Sequence, residues 1–161
     1  MPIFPEPSWI TAELLRDLTL LAQASPRRRK NHNFHAKEDA ACQRLLNAVE
    51  PDSYIAPHRH LNPAKDETIL LLCGRIGLVL FDESGGVTGD AVLDVAASRF
   101  GVTVPPGTFH TLISLAPGSV FFEAKAGPYL PLTEQERAPW APHEGARAAV
   151  AYLATLRKRF A

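Results

Sequence analysis

His58 and His60 stand two residues apart, Glu67 follows after a short gap, and His110 comes much later, behind Pro105-Pro106-Gly107. In extended backbone alternate side chains share a face, so the two imidazoles point the same way. Neutral imidazole and carboxylate are common ligands of Fe, Mn, Ni, Zn and Cu. Two histidines on one strand, a glutamate returning on the next and a distant third histidine can converge on one divalent ion. Glu67 has the parity of Ile69, Leu71 and Cys73. Facing inward, it brings a carboxylate into an apolar cavity, where a cation would compensate it. Glu123 and Lys125 share one face of a later strand. Turned inward, they contact a substrate or hold a ligand in place; turned outward, they form a surface ion pair. Tyr54 and His35 complete the substrate-side candidates, at the cavity rim.

The elements that must position these residues are mostly strands. Short apolar runs at 68–73, 77–81, 91–95, 99–104, 108–115 and 120–126 are separated by Gly- and Pro-rich turns. Among them, residues 82–86 read as a hairpin turn. Many short strands at roughly regular spacing predict a sandwich or a barrel. Residues 54–60 read as the strand carrying the two histidines. Residues 38–49 are open between a helix over 40–46 and a strand over 43–49.

Helices are expected at both ends. Ile10, Leu14, Leu18 and Leu21 keep helical spacing over residues 8–24, with Ser8 as N-cap and Ser25-Pro26 as the stop. From Glu144, the residues Ala149, Tyr152, Leu153, Leu156 and Phe160 make a second apolar stripe. Between the strands and this helix, residues 127–145 are too rich in proline for regular structure and too apolar for a free linker. The organisation is one domain in three segments: a helical segment at 1–30, a β barrel at 31–126, and a proline-rich arm with its helix at 127–161. The four cations at 27–30 read either as a solvated turn at a helix end or as an anion site. Asn31, Asn33 and His35 would line one face of a strand and His32 and Phe34 the other.

The residues also carry a resemblance. His58-x-His60 with Glu67 and Gly74 resembles the first motif of the cupin superfamily, and Pro105-x-Gly107-x-x-His110 the second. The gap between His60 and Glu67 is longer than the common pattern, Ser114 stands where Asn is usual, and Arg99 where Gly is usual. Tyr54 to His60, Lys65-x-Glu67, Phe122 to Tyr129 and Ala138 to Pro142 resemble the WbuC family of cupin-fold metalloproteins. Asn33-Phe34-His35 and Arg44 to Asn47 extend the same resemblance. It implies a mainly β chain: a single cupin (double-stranded β-helix, jelly-roll) barrel with N- and C-terminal helices. It also implies one divalent transition metal ion held by His58, His60, Glu67 and His110, a bacterial source, and a role linked to O-antigen or other polysaccharide genes. It supplies no reaction.

Size and composition narrow the rest. A chain of 161 residues is long enough to bury roughly 70% of its unfolded surface in one core. The 17 basic residues balance the 17 acidic ones, so no global field draws it to nucleic acid or membrane. Cys42 and Cys73 form no Cys-x-x-Cys pair, and the opening residues lack the pattern of a signal peptide. The expectation is a cytoplasmic homodimer. Its leading function is a metal-dependent isomerase or oxygenase of a sugar, a nucleotide-linked sugar or another small molecule. A non-catalytic metal- or carbohydrate-binding module and a metal-free, epimerase-like enzyme stand as alternatives.

Overall fold

A computed structural model describes residues 6–161. Residues 1–5, part of the opening segment read for a signal peptide, lie outside the described residues. In chain order come α1 (Ala12–Ala24), β1 (Arg29–Asn33), β2 (Cys42–Val49), β3 (Glu67–Cys73), β4 (Arg75–Phe81) and β5 (Val87–Asp94). Then follow β6 (Gly101–Val104), β7 (Phe109–Ser114), β8 (Ser119–Ala126) and α2 (Arg147–Arg157), with short 3-10 turns at Glu134–Glu136 and Lys158–Phe160.

The strands form two antiparallel sheets, a larger one ordered β1-β2-β8-β3-β6 and a smaller one ordered β5-β4-β7. Their inner faces meet in one core. Val49, Ile69, Leu71 and Phe121 of the larger sheet pack with Ile76, Leu78, Leu93 and Leu112 of the smaller. Each outer face is covered by a helix. Leu18 and Ala22 of α1 lie on Leu46, Ala48 and Val120. Ala149, Leu153 and Leu156 of α2 lie on Val79, Phe81, Phe109 and Ile113. The period-two alternation of β2, β4 and β8 thus serves two cores at once, with each buried leucine contributing about 1.5–3 kcal/mol. The arm joins the outer core: Ala138 and Ala141 are buried, and the Trp140 ring lies 4.8 Å from Phe81 and 5.9 Å from Phe109.

Several local expectations need correction. The two sheets are not hydrogen-bonded round into a closed barrel; they face each other as a sandwich. Helix α1 starts at Ala12, not at residue 8, because the Thr11 hydroxyl accepts from Leu14 N at 3.2 Å and caps it there. Of the two readings left open for residues 38–49 the strand is the one formed, over Cys42–Val49, paired on one side with β1 and on the other with β8. The histidine segment is not part of a regular strand. Residues 50–66 run irregularly, punctuated by Pro57 and Pro63, which donate nothing to a ladder. Two bridges rescue the geometry: on one side His58 N donates to His110 O at 3.0 Å and His110 N to His58 O at 2.9 Å, and on the other His58 pairs with Arg137 of the arm. The first ties the segment to the free edge of β7.

Gly74 makes the β3–β4 turn. Its φ is +80°, and a Cβ there would fall 2.6 Å from the Ser119 Cα, so only glycine fits. No helix among the described residues is long and apolar enough to cross a membrane.

Candidate metal centre

The candidate ligands come from both sheets and meet between them. In β3, Glu67 shares its face with buried Ile69 and Leu71, while Thr68 and Leu70 are exposed. In β7, His110 shares its inner face with Leu112, while Phe109 and Ile113 point outward to α2. The bridge to β7 sets His58 and His60 inward. Arg59, between them, points outward, with its guanidinium 4.2 Å over the Phe109 ring and a hydrogen bond to Glu83. The ring centroids of His58 and His110 are 4.8 Å apart, and those of His58 and His60 5.4 Å. One ligand atom from each of His58, His60 and Glu67 fits within a mutual separation of 4.8 Å. His110 joins them through Glu67: its Nε2 lies 2.9 Å from Oε2.

Backbone carbonyls hold two of the rings. His58 Nδ1 lies 3.0 Å from the Ala56 carbonyl, and His110 Nδ1 2.9 Å from that of Thr108. Each carbonyl accepts a hydrogen bond from Nδ1–H, so Nε2 is the nitrogen left for the site. His60 Nε2 is buried with no hydrogen-bond partner among the described residues, 3.7 Å from Glu67 Oε2. A buried imidazole nitrogen without a partner is costly unless something binds it.

The larger sheet also brings in Lys125 and Glu123 from β8. Register sets Lys125 opposite Glu67 and Glu123 opposite Ile69. Lys125 Nζ donates to Glu67 Oε1 at 3.0 Å and lies 2.6 Å from Glu123 Oε1. Asn47 of β2 donates to Glu123 Oε2 at 2.9 Å. Both carboxylates face inward, as parity requires.

Burial and neighbouring charge set the protonation states. Burial pushes His58 down to about 3 and His60 to about 4, so both are neutral imidazoles at pH 7. Burial alone would raise Glu67, but the His110 hydrogen bond and the Lys125 charge hold it well below the usual carboxylate range. His110 is raised despite its burial, because the hydrogen bond to Glu67 and the charge of that carboxylate favour its protonated form. Burial and the charge of Glu67 raise Glu123 to about 7, against the pull of Lys125. Two neutral imidazoles, an ionised carboxylate and a third imidazole in contact with it form a donor set suited to a divalent ion. The unpartnered nitrogen of His60 fits the same reading.

Two rim candidates lie elsewhere. Tyr54 is in the outer core, donating to the Pro142 carbonyl at 2.9 Å and stacking edge-on to Tyr152. Tyr54 and Ala56 both pack in the outer core, and the irregular backbone at Pro57 separates their face from that of His58, so the Tyr54 side chain ends on the α2 side of the smaller sheet. His35 is tied at the start of β2, where its Nδ1 lies 3.0 Å from both Arg44 N and Arg44 O. Conversely, Asn47 belongs to the network, although no motif in the sequence marks it as a site residue. Its inward parity with Val49 was available only once residues 42–49 were assigned as a strand.

A family profile described as a domain of unknown function (DUF6016) matches residues 10–93, just over half of the chain. No curated protein matches the sequence. Among solved structures, oxalate oxidase in complex with the substrate analogue glycolate is similar at a TM-score of 0.51 and 12% identity, over 66% of this chain and 55% of that one. Recombinant pro-11S globulin of pumpkin is similar at 0.50 and 14% identity, over 65% of this chain and 27% of that one. The structure of KdgF from Halomonas sp. aligns at 0.49 and 15% identity, over 63% of this chain and 82% of that one. The chain thus spans about half of the oxalate oxidase and about a quarter of the globulin. At these identities the likeness gives the fold, which is the cupin fold, and no function.

Proposed function

Since the chain belongs to the DUF6016 family, whose description assigns no function, we propose from its own residues a metal-dependent enzyme of the cupin fold acting on a small molecule. His58, His60, Glu67 and His110 are the proposed ligands. The observation that carries the reading is the buried, unpartnered Nε2 of His60 beside Glu67. When bound, a divalent ion would supply Lewis-acid polarisation of a substrate oxygen.

The chain's own part is positioning and proton handling. Ala56 and Thr108 carbonyls orient two rings. Lys125 holds Glu67 and Glu123 together. Glu123, raised to about 7, is matched to give or take a proton near neutrality. The resemblance to the WbuC family extends the proposal to a bacterial protein, a sugar or nucleotide-linked sugar as substrate, and isomerisation or oxygenation as reaction class. Exposed Leu70, Val95 and Phe100 beside the edge strand β6 give a second copy an apolar surface, and a homodimer is the proposed assembly.

A second reading has its own observation. Lys125 already supplies Glu67 with a positive charge and His110 meets its other oxygen, so a metal-free site would be electrostatically satisfied at that carboxylate. Calorimetric titration of the chelator-treated protein with Fe(II), Mn(II), Ni(II), Zn(II) and Cu(II) separates the two. We expect one ion per chain and about a hundred-fold or greater loss of affinity in His60→Ala and Glu67→Ala. No saturable binding of any of the five would sink the metal reading and leave the metal-free one.

A further inference from the structure

The basic run at 27–30 takes no part in the candidate metal centre; three of its arginines form one wall of a separate cavity of about 1060 Å3. The opposite wall is α2. The floor is apolar, made by Tyr54, Leu115, Ala149, Leu153 and Phe160, side chains of the outer core. The candidate ligands and their partners Glu123 and Lys125 do not line it.

The charge around this floor is one-sided. Seven cationic side chains line the cavity against two acidic ones, Asp52 and Glu144, and one of the seven, Arg75, is paired with Asp94 at 3.1 Å outside the lining. The whole chain has no such excess, with 17 basic and 17 acidic residues. Both carboxylates are already engaged: Glu144 lies 2.6 Å from both Arg27 and Arg29, and Asp52 lies 3.0 Å from Arg28. On α2 and the turn after it, Arg147 and Lys158 form no ion pair among the described residues. Val150, on the same wall, is 77% exposed.

We propose that this groove binds an amphipathic small molecule, with a phosphate head on the cationic rim and an apolar body on the floor beneath α2. Arg27, Arg28 and Arg29 are held by Glu144 and Asp52, so the charge free to meet a phosphate is that of Arg147 and Lys158, whose donors suit a group with several acceptors and more than one charge. The volume is that of a small-molecule site. A second copy of this chain is a poor occupant, since a two-fold contact through this face would set like charge against like. A flat bilayer is a poor fit to a concave floor set below its cationic rim.

The test is calorimetric titration of the full chain with decyl phosphate in its monomeric range, with inorganic phosphate and decanol as the separate parts. Phosphatidylglycerol vesicles form a further arm. Decyl phosphate should bind one per chain, at least about ten-fold tighter than either inorganic phosphate or decanol. Arg147→Gln/Lys158→Gln should weaken it about ten-fold, and Val150→Glu by at least as much. All three positions are exposed, so both variants should fold, and circular dichroism checks it. His60→Ala should leave the affinity unchanged, which keeps this result separate from that of the metal reading. Four outcomes would overturn the proposal: no decyl phosphate binding below about 1 mM, affinity equal to that of inorganic phosphate, no loss in the charge variant, or binding to vesicles alone.

Discussion

Glu67 between the sheets and Glu144 at the mouth of the cationic groove each sit between two basic side chains, but at different depths. Glu67 has Lys125 at 3.0 Å and His110 at 2.9 Å, with 6% of its side chain exposed. Glu144 has Arg27 and Arg29, both at 2.6 Å, with 36% exposed. The networks also differ in completeness. Glu144 is saturated by guanidinium forks and clasps the start of α2 to β1 and the turn before it. The Glu67 network leaves His60 Nε2 without a partner. A saturated surface cluster does structural work; a buried one with a nitrogen to spare has room for one more cation.

The largest test of this contrast is removal of each carboxylate. Glu67→Ala takes the acceptor from His110 and one of two carboxylates from Lys125, which keeps Glu123 at 2.6 Å, and should cost about 1.5–3 kcal/mol. Glu144→Ala frees two arginines to water and should cost about 1 kcal/mol or less. Urea unfolding at pH 7 measures both, and equal losses would mean that depth does not separate them. Next in size is the response to metal. At about a hundred times its Kd, an ion bound only by the folded state adds about 2.7 kcal/mol, or roughly 5–10 °C in Tm for a chain of this length. Wild type and Glu144→Ala should show the rise, and His60→Ala should not. A rise retained in His60→Ala would place the ion elsewhere. Smaller again, Asn47→Ala removes the hydrogen bond that fixes Glu123 and should cost about 1.5 kcal/mol. A neutral result would show that Lys125 alone holds Glu123.

The same contrast marks what was legible in the sequence. Glu67, Glu123 and Lys125 could be read as sharing the inner face because parity along a strand is a local property, and register then brings β3 and β8 together. His58 and His60 were legible as a pair for the same reason, although the bridge to His110, not a strand, holds them. What sequence could not give was the fate of side chains whose partners are distant in the chain. Tyr54 lies only four residues before His58, yet the irregular backbone between them carries its ring to the opposite side of the smaller sheet. Glu144 reads as the start of a helix, and nothing local marks it as the partner of Arg27 and Arg29, more than a hundred residues earlier. Barrel closure also escaped, since strand patterns fix which face is buried but not whether sheet edges meet.

The smallest effect is the sharpest check on the surface half of the contrast. The hydrogen bonds from Arg27 lead in holding the Glu144 carboxyl at about 2, below its ordinary 4.5. A carboxyl with a lowered folded pKa stabilises the fold above its unfolded pKa, and that contribution fades as pH falls toward the folded value. The window is therefore pH 4.5 down to about 2. Because the group is well exposed, solvent screens the gain to about 1 kcal/mol at most. The difference in stability between wild type and Glu144→Gln should be constant from pH 7 to pH 5 and shrink steadily below that. Added salt should reduce it at every pH above the window, because exposed pairs are screened within about a Debye length. A difference that ignored both salt and pH would mean that Glu144 acts through its hydrogen-bond geometry, which glutamine can partly copy, and not through its charge.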